Sequence, residues 1–384
     1  MEKNSCLLSI AIPTRNRFDT ATQTIMVLLK NFHGKDFEIV ISDNSDSNIL
    51  EDWCENLSSD RVRYLNNTGC AMSTIDNFEE CLGLLSGKYV VFIGDDDFVN
   101  PKMYDLAEFA RTKDLKACSY KHSVGYEYPG SARSGCLVIH PFSGDSEKVD
   151  VRKEYLRFQQ RGGVNYLEYK LPRLYHGLVS IDVINALKAK HGCVFGGLSP
   201  DIFASLFVTS VVDEIVYFDY PFSISGSSPK SNLTHRTKEA ENMDLANAPH
   251  FNNISNYLWL EIIPPYYSPE SIWAETGQRA VLVSGLVSIS GPNLPMLRAV
   301  IFDSIPYKRK VEFLKSLNIL GKYILLMHWN YVLISRNISK LSNRIKKVFR
   351  GNYSERIVKV ESAIRANEIL KDKVYLVDIR MNYD

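Results

Sequence analysis

The chain has 384 residues, 45% hydrophobic and 23% charged, too apolar to be mainly disordered and, at roughly 100–200 residues per domain, long enough for one large domain and an appended one. A formal net charge of +1 provides no basic excess of the kind that draws a domain to nucleic acid, so no nucleic-acid partner is expected. Seven scattered cysteines, an odd number with no C-x-x-C pair, exclude a disulfide framework and a thiolate zinc site, and suit a reduced cytoplasmic chain. The first residues run directly into an apolar segment without signal-peptide character, so secretion is not expected.

Residues 7–12 predict a first strand, closed by Pro13. Ala21, Ile25, Leu28 and Leu29 recur at helical spacing across 20–29, and 37–41 predict a second buried strand ending at Ser42 and Asp43. Residues 51–57 predict a helix and 62–65 a third strand. Residues 73–85 predict a helix with Ile75, Phe78, Cys81, Leu82 and Leu85 on one face, and 89–93 a fourth strand that runs into Asp95, Asp96 and Asp97. This alternation is that of a parallel sheet with crossover helices. Residues 120–173 turn to Gly, Ser and aromatics, the composition of irregular connections or a hairpin. A helix over 200–208 and a strand over 214–218 follow, then a polar Ser- and Gly-rich loop over 223–236. Beyond Lys238 the pattern is mainly helical, broken by Pro264, Pro265, Pro292, Pro295 and Pro306.

Polar clusters stand at the ends of all four early strands: 14–17, 43–47, 66–69 and 95–97. In a parallel sheet, ligands collect in the crevice beyond the carboxyl ends. Adjacent carboxylates at 95–97 suit a hard divalent cation, Mg2+ or Mn2+, which also binds phosphate; the bland alternative is a solvated acidic turn before the helix near Pro101. Asp43 suits a nucleoside's base or ribose, or else an Asx turn. Arg15 and Arg17 suit phosphate, or the surface, and for Arg17 the surface is favoured.

The runs LSIAIPTRN (8–16), EIVISDNS (38–45), NNTG (66–69) with Asn77, and SGKYVVFIGDDD (86–97) together resemble the N-terminal half of family 2 glycosyltransferases. The resemblance implies the GT-A fold, a Rossmann-like α/β arrangement with a mixed, mostly parallel sheet flanked by helices. It implies a catalytic domain over 1–237, with a nucleotide-sugar half at about 1–105 and an acceptor half at 106–237, before a mainly helical region over 238–384. Pro13, Thr14, Arg15 and Asp43 would line the nucleotide pocket, with Asn77 near the base or ribose. Asp96 would be the metal ligand, Asp95 a donor contact and Asp97 the alternative ligand, because the usual D-x-D spelling becomes Gly94-Asp95-Asp96 if Pro101 is aligned with the proline that often follows the motif. The segment GGLSPDIF (196–203) resembles the helix start that supplies the general base, which falls on Asp201, with Asp213 a less favoured substitute. His235, beyond a flexible Ser-Gly stretch, would be a loop ligand. The implied activity is an inverting transfer from a nucleoside-diphosphate sugar, UDP-linked, to a saccharide or lipid-linked acceptor of a bacterial surface polysaccharide. The alternatives are a sugar nucleotidyltransferase and a catalytically silent scaffold; 13–17 is not the Gly- and Arg-rich loop of the first.

Residues 307–350 contain eleven basic side chains and one acidic, Glu312, around an apolar stretch too short to span a bilayer. They predict either peripheral contact with an anionic membrane at its cytoplasmic face or a helix packed on the catalytic domain with a solvated basic side.

Overall fold

A computed structural model describes residues 6–70, 72–230, 244–350 and 353–381. Leu8–Thr14 (β1) and Phe37–Asp43 (β2) are buried at every position, the pattern of parallel strands covered on both faces. Between them Phe18–Asn31 (α1) lays Ala21, Ile25 and Leu28 into the core. Ile49–Leu57 (α2), Val62–Asn66 (β3), Thr74–Leu82 (α3) and Tyr89–Phe92 (β4) continue the alternation. β1 pairs in parallel with β2 and β4, and β2 with β3. Their carboxyl ends therefore share one edge of the sheet.

The chain continues through Phe98–Val99 (β5), Lys102–Thr112 (α4), Ala117–Tyr120 (β6), Val124–Glu127 (β7), Cys136–Ile139 (β8), Ser146–Asp150 (β9) and Val151–Gln160 (α5). Leu178–Ser180 (β10), Ile181–His191 (α6), Pro200–Thr209 (α7), Glu214–Phe218 (β11) and Ser223–Ser227 (β12) follow. Pro269–Ser284 (α8), Leu294–Ser304 (α9), Tyr307–Lys315 (α10) and Ile319–Arg350 (α11) form a helical layer around Leu297, Ile301, Phe302, Phe313 and Leu325. Glu355–Ile357 (β13) and Ala363–Leu370 (α12) close the chain.

The eight-stranded main sheet has the order β3-β2-β1-β4-β10-β6-β11-β9. β10 is antiparallel to β4 and β6, and β9 to β11. This is the mixed, mostly parallel α/β sheet flanked by helices that the sequence leads one to expect. A second, five-stranded sheet runs β13-β8-β7-β12-β5.

Residues 120–173, expected as irregular connections or a hairpin, hold the hairpin, β7 with β8, and beyond it an edge strand, β9, and a helix, α5, that the sequence did not indicate. Strands of four or five residues are too short to display a period. The polar stretch from Ser223 is not a loop at its start. β12 is held between β5 and β7, whose backbone groups supply the pairing that its Ser and Gly side chains do not advertise. The tail adds a long-range return: β13 pairs with β8, and Val360, Ala363, Ala366, Leu370 and Val374 complete the core beside α1. Among the described residues no helix is long and apolar enough to cross a membrane.

Candidate active site

The triplet follows β4 through Ile93 and Gly94, and all three carboxylates are buried, Asp95 3%, Asp96 5% and Asp97 3% exposed. From α1, the Thr24 hydroxyl faces the carbonyl oxygens of Asp95 at 3.0 Å and Asp97 at 2.7 Å, which fixes the turn. Asp97 is the anchor. Its Oδ2 accepts from the Gly94 amide at 2.7 Å, the Tyr175 hydroxyl at 2.9 Å and His176 Nε2 at 2.9 Å, and its Oδ1 from the Gly226 amide at 2.7 Å. Ser223 Oγ accepts from the Tyr120 hydroxyl and lies 2.6 Å from His176 Nδ1. Its own proton is therefore free for Nδ1, and Nε2 carries the proton that is given to Asp97.

Asp95 joins two strand ends: its Oδ2 accepts from Thr14 Oγ1 at 2.6 Å and its Oδ1 from Arg17 Nη1 at 2.9 Å. Asp96 Oδ2 accepts from the Ser228 amide at 3.1 Å and lies 3.8 Å from the same guanidinium nitrogen. Burial, then the neighbouring Asp96 charge, pushes Asp95 up to about 7 against the pull of Arg17. Burial and the Asp97 charge also raise Asp96. Burial works on Asp97 in the same direction, but His176 and the Gly226 and Gly94 amides outweigh it and hold Asp97 below the usual range. The surroundings thus favour the charged form of Asp97 and oppose it on Asp95 and Asp96.

Two glycines allow this packing. A Cβ on Gly226 would lie 1.7 Å from the Asp96 carbonyl oxygen, and one on Gly94 2.9 Å from Asp97 Oδ2. Gly94 is therefore required where the D-x-D alignment would put an acid: a side chain there would run into the Asp97 carboxylate.

Pro13 and Thr14 are buried at the end of β1. Asp43 is fully buried at the end of β2, accepting from the Ser45 amide at 2.9 Å and the Tyr64 hydroxyl at 2.7 Å. Asn77 ties the two strand ends together, donating to Thr14 O at 3.1 Å and accepting from Ser42 Oγ at 2.7 Å. Arg17 differs from expectation: expected at the surface, it turns inward to Asp95 and reaches Lys230 O at 2.8 Å, whereas Arg15 is exposed and pairs with Asp46 at 3.4 Å.

Asp201 occupies the first turn of α7, after Pro200, where the helix dipole favours a carboxylate. Its Oδ2 accepts from the Tyr166 hydroxyl at 2.9 Å and its Oδ1 from Ser199. Burial, then the charges of Asp97 and Asp96 and, more weakly, Asp201, hold the Tyr175 hydroxyl well above its ordinary range, so Asp201 and the triplet act on one phenol. Asp213 lies exposed at the start of β11, at the end of the sheet opposite to the triplet. His235 lies outside the described residues. Tyr175, His176 and Gly226 escaped sequence reasoning altogether; none lies in a periodic segment.

Among the described residues no three His, Cys, Asp or Glu side chains are grouped to hold a metal. A hard cation such as Mg2+ is commonly held by one or two carboxylates and completed by substrate phosphates and water. Asp95 and Asp96, buried, adjacent and raised by burial and by neighbouring carboxylate charge, fit that role; Asp97, with four donors on it, does not.

Residues 9–131 match the family described as Glycosyl transferase family 2. Over 92 residues the chain is 32% identical to a GalNAc(5)-diNAcBac-PP-undecaprenol beta-1,3-glucosyltransferase of Campylobacter jejuni, a match that spans 23% of this chain and 29% of that relative's length. Among solved structures, S. aureus TarS 1–349 in complex with UDP-GlcNAc is similar with a TM-score of 0.41 at 15% identity, covering 84% of this chain and 88% of that one. Another TarS structure gives 0.38 at 16% identity, over 58% of this chain and 37% of that one. The family match takes in β1 through β7 with the triplet and every early strand-end cluster. The chain is thus similar to glycosyltransferase family 2 over residues 9–131, about a third of its length.

Proposed function

We propose that the chain transfers one sugar, with inversion, from a nucleoside-diphosphate sugar, UDP-linked, to a saccharide or lipid-linked acceptor of a bacterial surface polysaccharide, at the cytoplasmic face of the membrane. The observation that carries this reading is the meeting of Thr14, Arg17 and Asp95 at the carboxyl ends of β1 and β4, inside the segment that matches the family. In the proposed reaction the acceptor hydroxyl gives its proton to Asp201 while its oxygen bonds to the anomeric carbon. The bond from that carbon to the diphosphate oxygen breaks, and the nucleoside diphosphate leaves with the electron pair. Tyr166 and Ser199, one on each Asp201 oxygen, orient the base. Asp43 and Asn77, with Pro13 and Thr14, form the nucleoside side, and Arg15 and Arg17 face the phosphates. Mg2+ or Mn2+ on Asp96, with Asp95 beside it, would supply Lewis-acid stabilisation of the departing diphosphate. Asp97 is then a positioning residue, and His235 a further ligand from the segment beyond β12. The basic side chains within 307–350 supply peripheral attraction to an anionic membrane that carries the acceptor.

Incubation with a panel of nucleotide sugars and Mn2+ or Mg2+, with lipid-linked and oligosaccharide acceptors, tests the proposal. Release of nucleoside diphosphate with one donor is the expected result. Absence of release with every donor and acceptor sinks the proposal, and pyrophosphate release from a nucleoside triphosphate and a sugar phosphate would replace it with nucleotidyl transfer.

A further inference from the structure

Helix α11 spans 32 residues and packs on the helical layer through the side that carries Leu325 and Trp329. Leu325 is buried there, the Trp329 ring meets Phe302 edge-on at 5.2 Å, and Arg336 pairs with Asp303 at 2.7 Å. The opposite side carries an apolar seam. Leu320, Met327, Ile334 and Leu341 recur every seven residues, 65%, 53%, 57% and 58% exposed. Ile324, Tyr331, Ile338 and Ile345 recur every seven residues between them, the last three 44%, 62% and 48% exposed. The steps alternate strictly between four and three residues, which is the spacing of a coiled-coil seam, and it is sustained for more than three heptads. Arg161 reaches its margin, 5.0 Å from the Tyr331 ring.

We propose that this seam is covered by α11 of a second copy of the chain, giving a parallel pair. The flanks decide against lipid as its occupant. A helix lying in a membrane interface sets Lys and Arg along the borders of its apolar face, where their stems can snorkel. Here the borders are His328, Asn330, Ser335, Asn337 and Ser342, with Arg344 the single basic residue among them. Lys322, Arg336 and Lys340 fall on the side away from the seam by helical spacing. Arg161 adds one guanidinium beside Tyr331 and Ser335, but borders otherwise almost free of charge let two identical helices approach with far less like-charge repulsion than a basic border would impose. The seam composition agrees: Ile at three of the four positions in one register and Leu at two of the four in the other favour two parallel strands. Pairing along the seam leaves Lys340 and the other off-seam basic residues outward.

Sedimentation equilibrium of the full chain in lipid-free buffer tests this. The expected mass is twice the 43.7 kDa of the chain, falling to the single-chain mass in Ile334→Glu/Ile338→Glu and staying doubled in Lys340→Glu. Near-UV circular dichroism of the double variant checks that its core is intact. Independently of that variant, Ile338→Cys gives a disulfide-linked dimer on mild oxidation beyond any formed by the seven native cysteines, because seam positions face their own copies in a parallel pair. A wild-type chain that stays at single mass through the micromolar range overturns the proposal. So does a double variant that keeps the doubled mass. Single mass combined with seam-dependent flotation on phosphatidylglycerol vesicles overturns it in favour of lipid.

Discussion

Asp95, Asp96 and Asp97 are adjacent in sequence, yet the fold gives each of them different surroundings. Asp97 is satisfied by groups 78, 79 and 129 positions away in the chain, Tyr175, His176 and Gly226, as well as by Gly94 nearby. Asp96→Ala removes the carboxylate best suited to a cation, and isothermal titration should then show no metal-dependent donor binding, only the residual binding seen with chelator. Asp201→Asn keeps a side chain that Tyr166 can still hydrogen-bond but cannot take a proton. Transfer should fall by about 10²–10⁴-fold with donor affinity unchanged; normal turnover would remove Asp201 from its assigned role. Gly226→Ala forces β12 off the triplet, since the new Cβ would stand 1.7 Å from the Asp96 carbonyl oxygen. Activity should be lost while the nucleotide-side residues at β1 and β2 are untouched, so donor-hydrolysis assays and thermal melting read different outcomes.

At the scale of elements, the early strands are joined beneath the site as well as across it. Glu38 on β2 accepts from Ser9 Oγ of β1 at 2.5 Å, from the Ser86 amide at 2.6 Å and hydroxyl at 2.8 Å before β4, and from Arg63 of β3 at 3.2 Å. Burial tends to raise this carboxyl, but those donors outweigh it and hold it below its ordinary value of 4.5. A folded-state value below the unfolded one stabilises the protein above the unfolded value, and the contribution is lost as pH falls through the folded one. Glu38→Gln should therefore be less stable than wild type in urea at neutral pH, with the gap closing as pH falls below 4.5. A gap that is the same at both ends of that range would show that the charge contributes nothing. Helix α3 offers a simpler case. Ser73→Ala removes half of a capping box, and should cost about 1 kcal/mol.

For the whole molecule, the main question is what the tail does. β13 and α12 lie far along the chain from β1 and α1, but Val360, Leu370, Val374 and Tyr375 are buried with them in one core. At about 1.5–3 kcal/mol for each large apolar side chain withdrawn from water, removing residues 353–384 takes away a large fraction of a typical folding free energy. The truncated chain should be insoluble or melt far below the full chain by calorimetry. Equal melting temperatures would mean that the tail is an ornament on an autonomous domain.

Much of the first hundred residues is legible in sequence because its information is local. Runs such as LSIAI and EIVIS declare doubly covered parallel strands, helical spacing declares α1 and α3, and polar clusters at strand ends declare the edge where a ligand would sit. Asp43, Asp95 and Asp96 could be chosen on that basis. Arg17 could not, since a guanidinium two residues beyond β1 reads alike whether it faces water or a carboxylate 78 positions away. The same limit hid β7 to β9, the pairing of β12 and the return of the tail. The sequence by itself determined the alternating elements of the first hundred residues and the edge of the sheet at which their polar clusters gather. Only the tertiary structure decided which carboxylate is held ionised and which are raised, because burial and hydrogen-bond partners come from segments that neighbour one another only after the chain has folded.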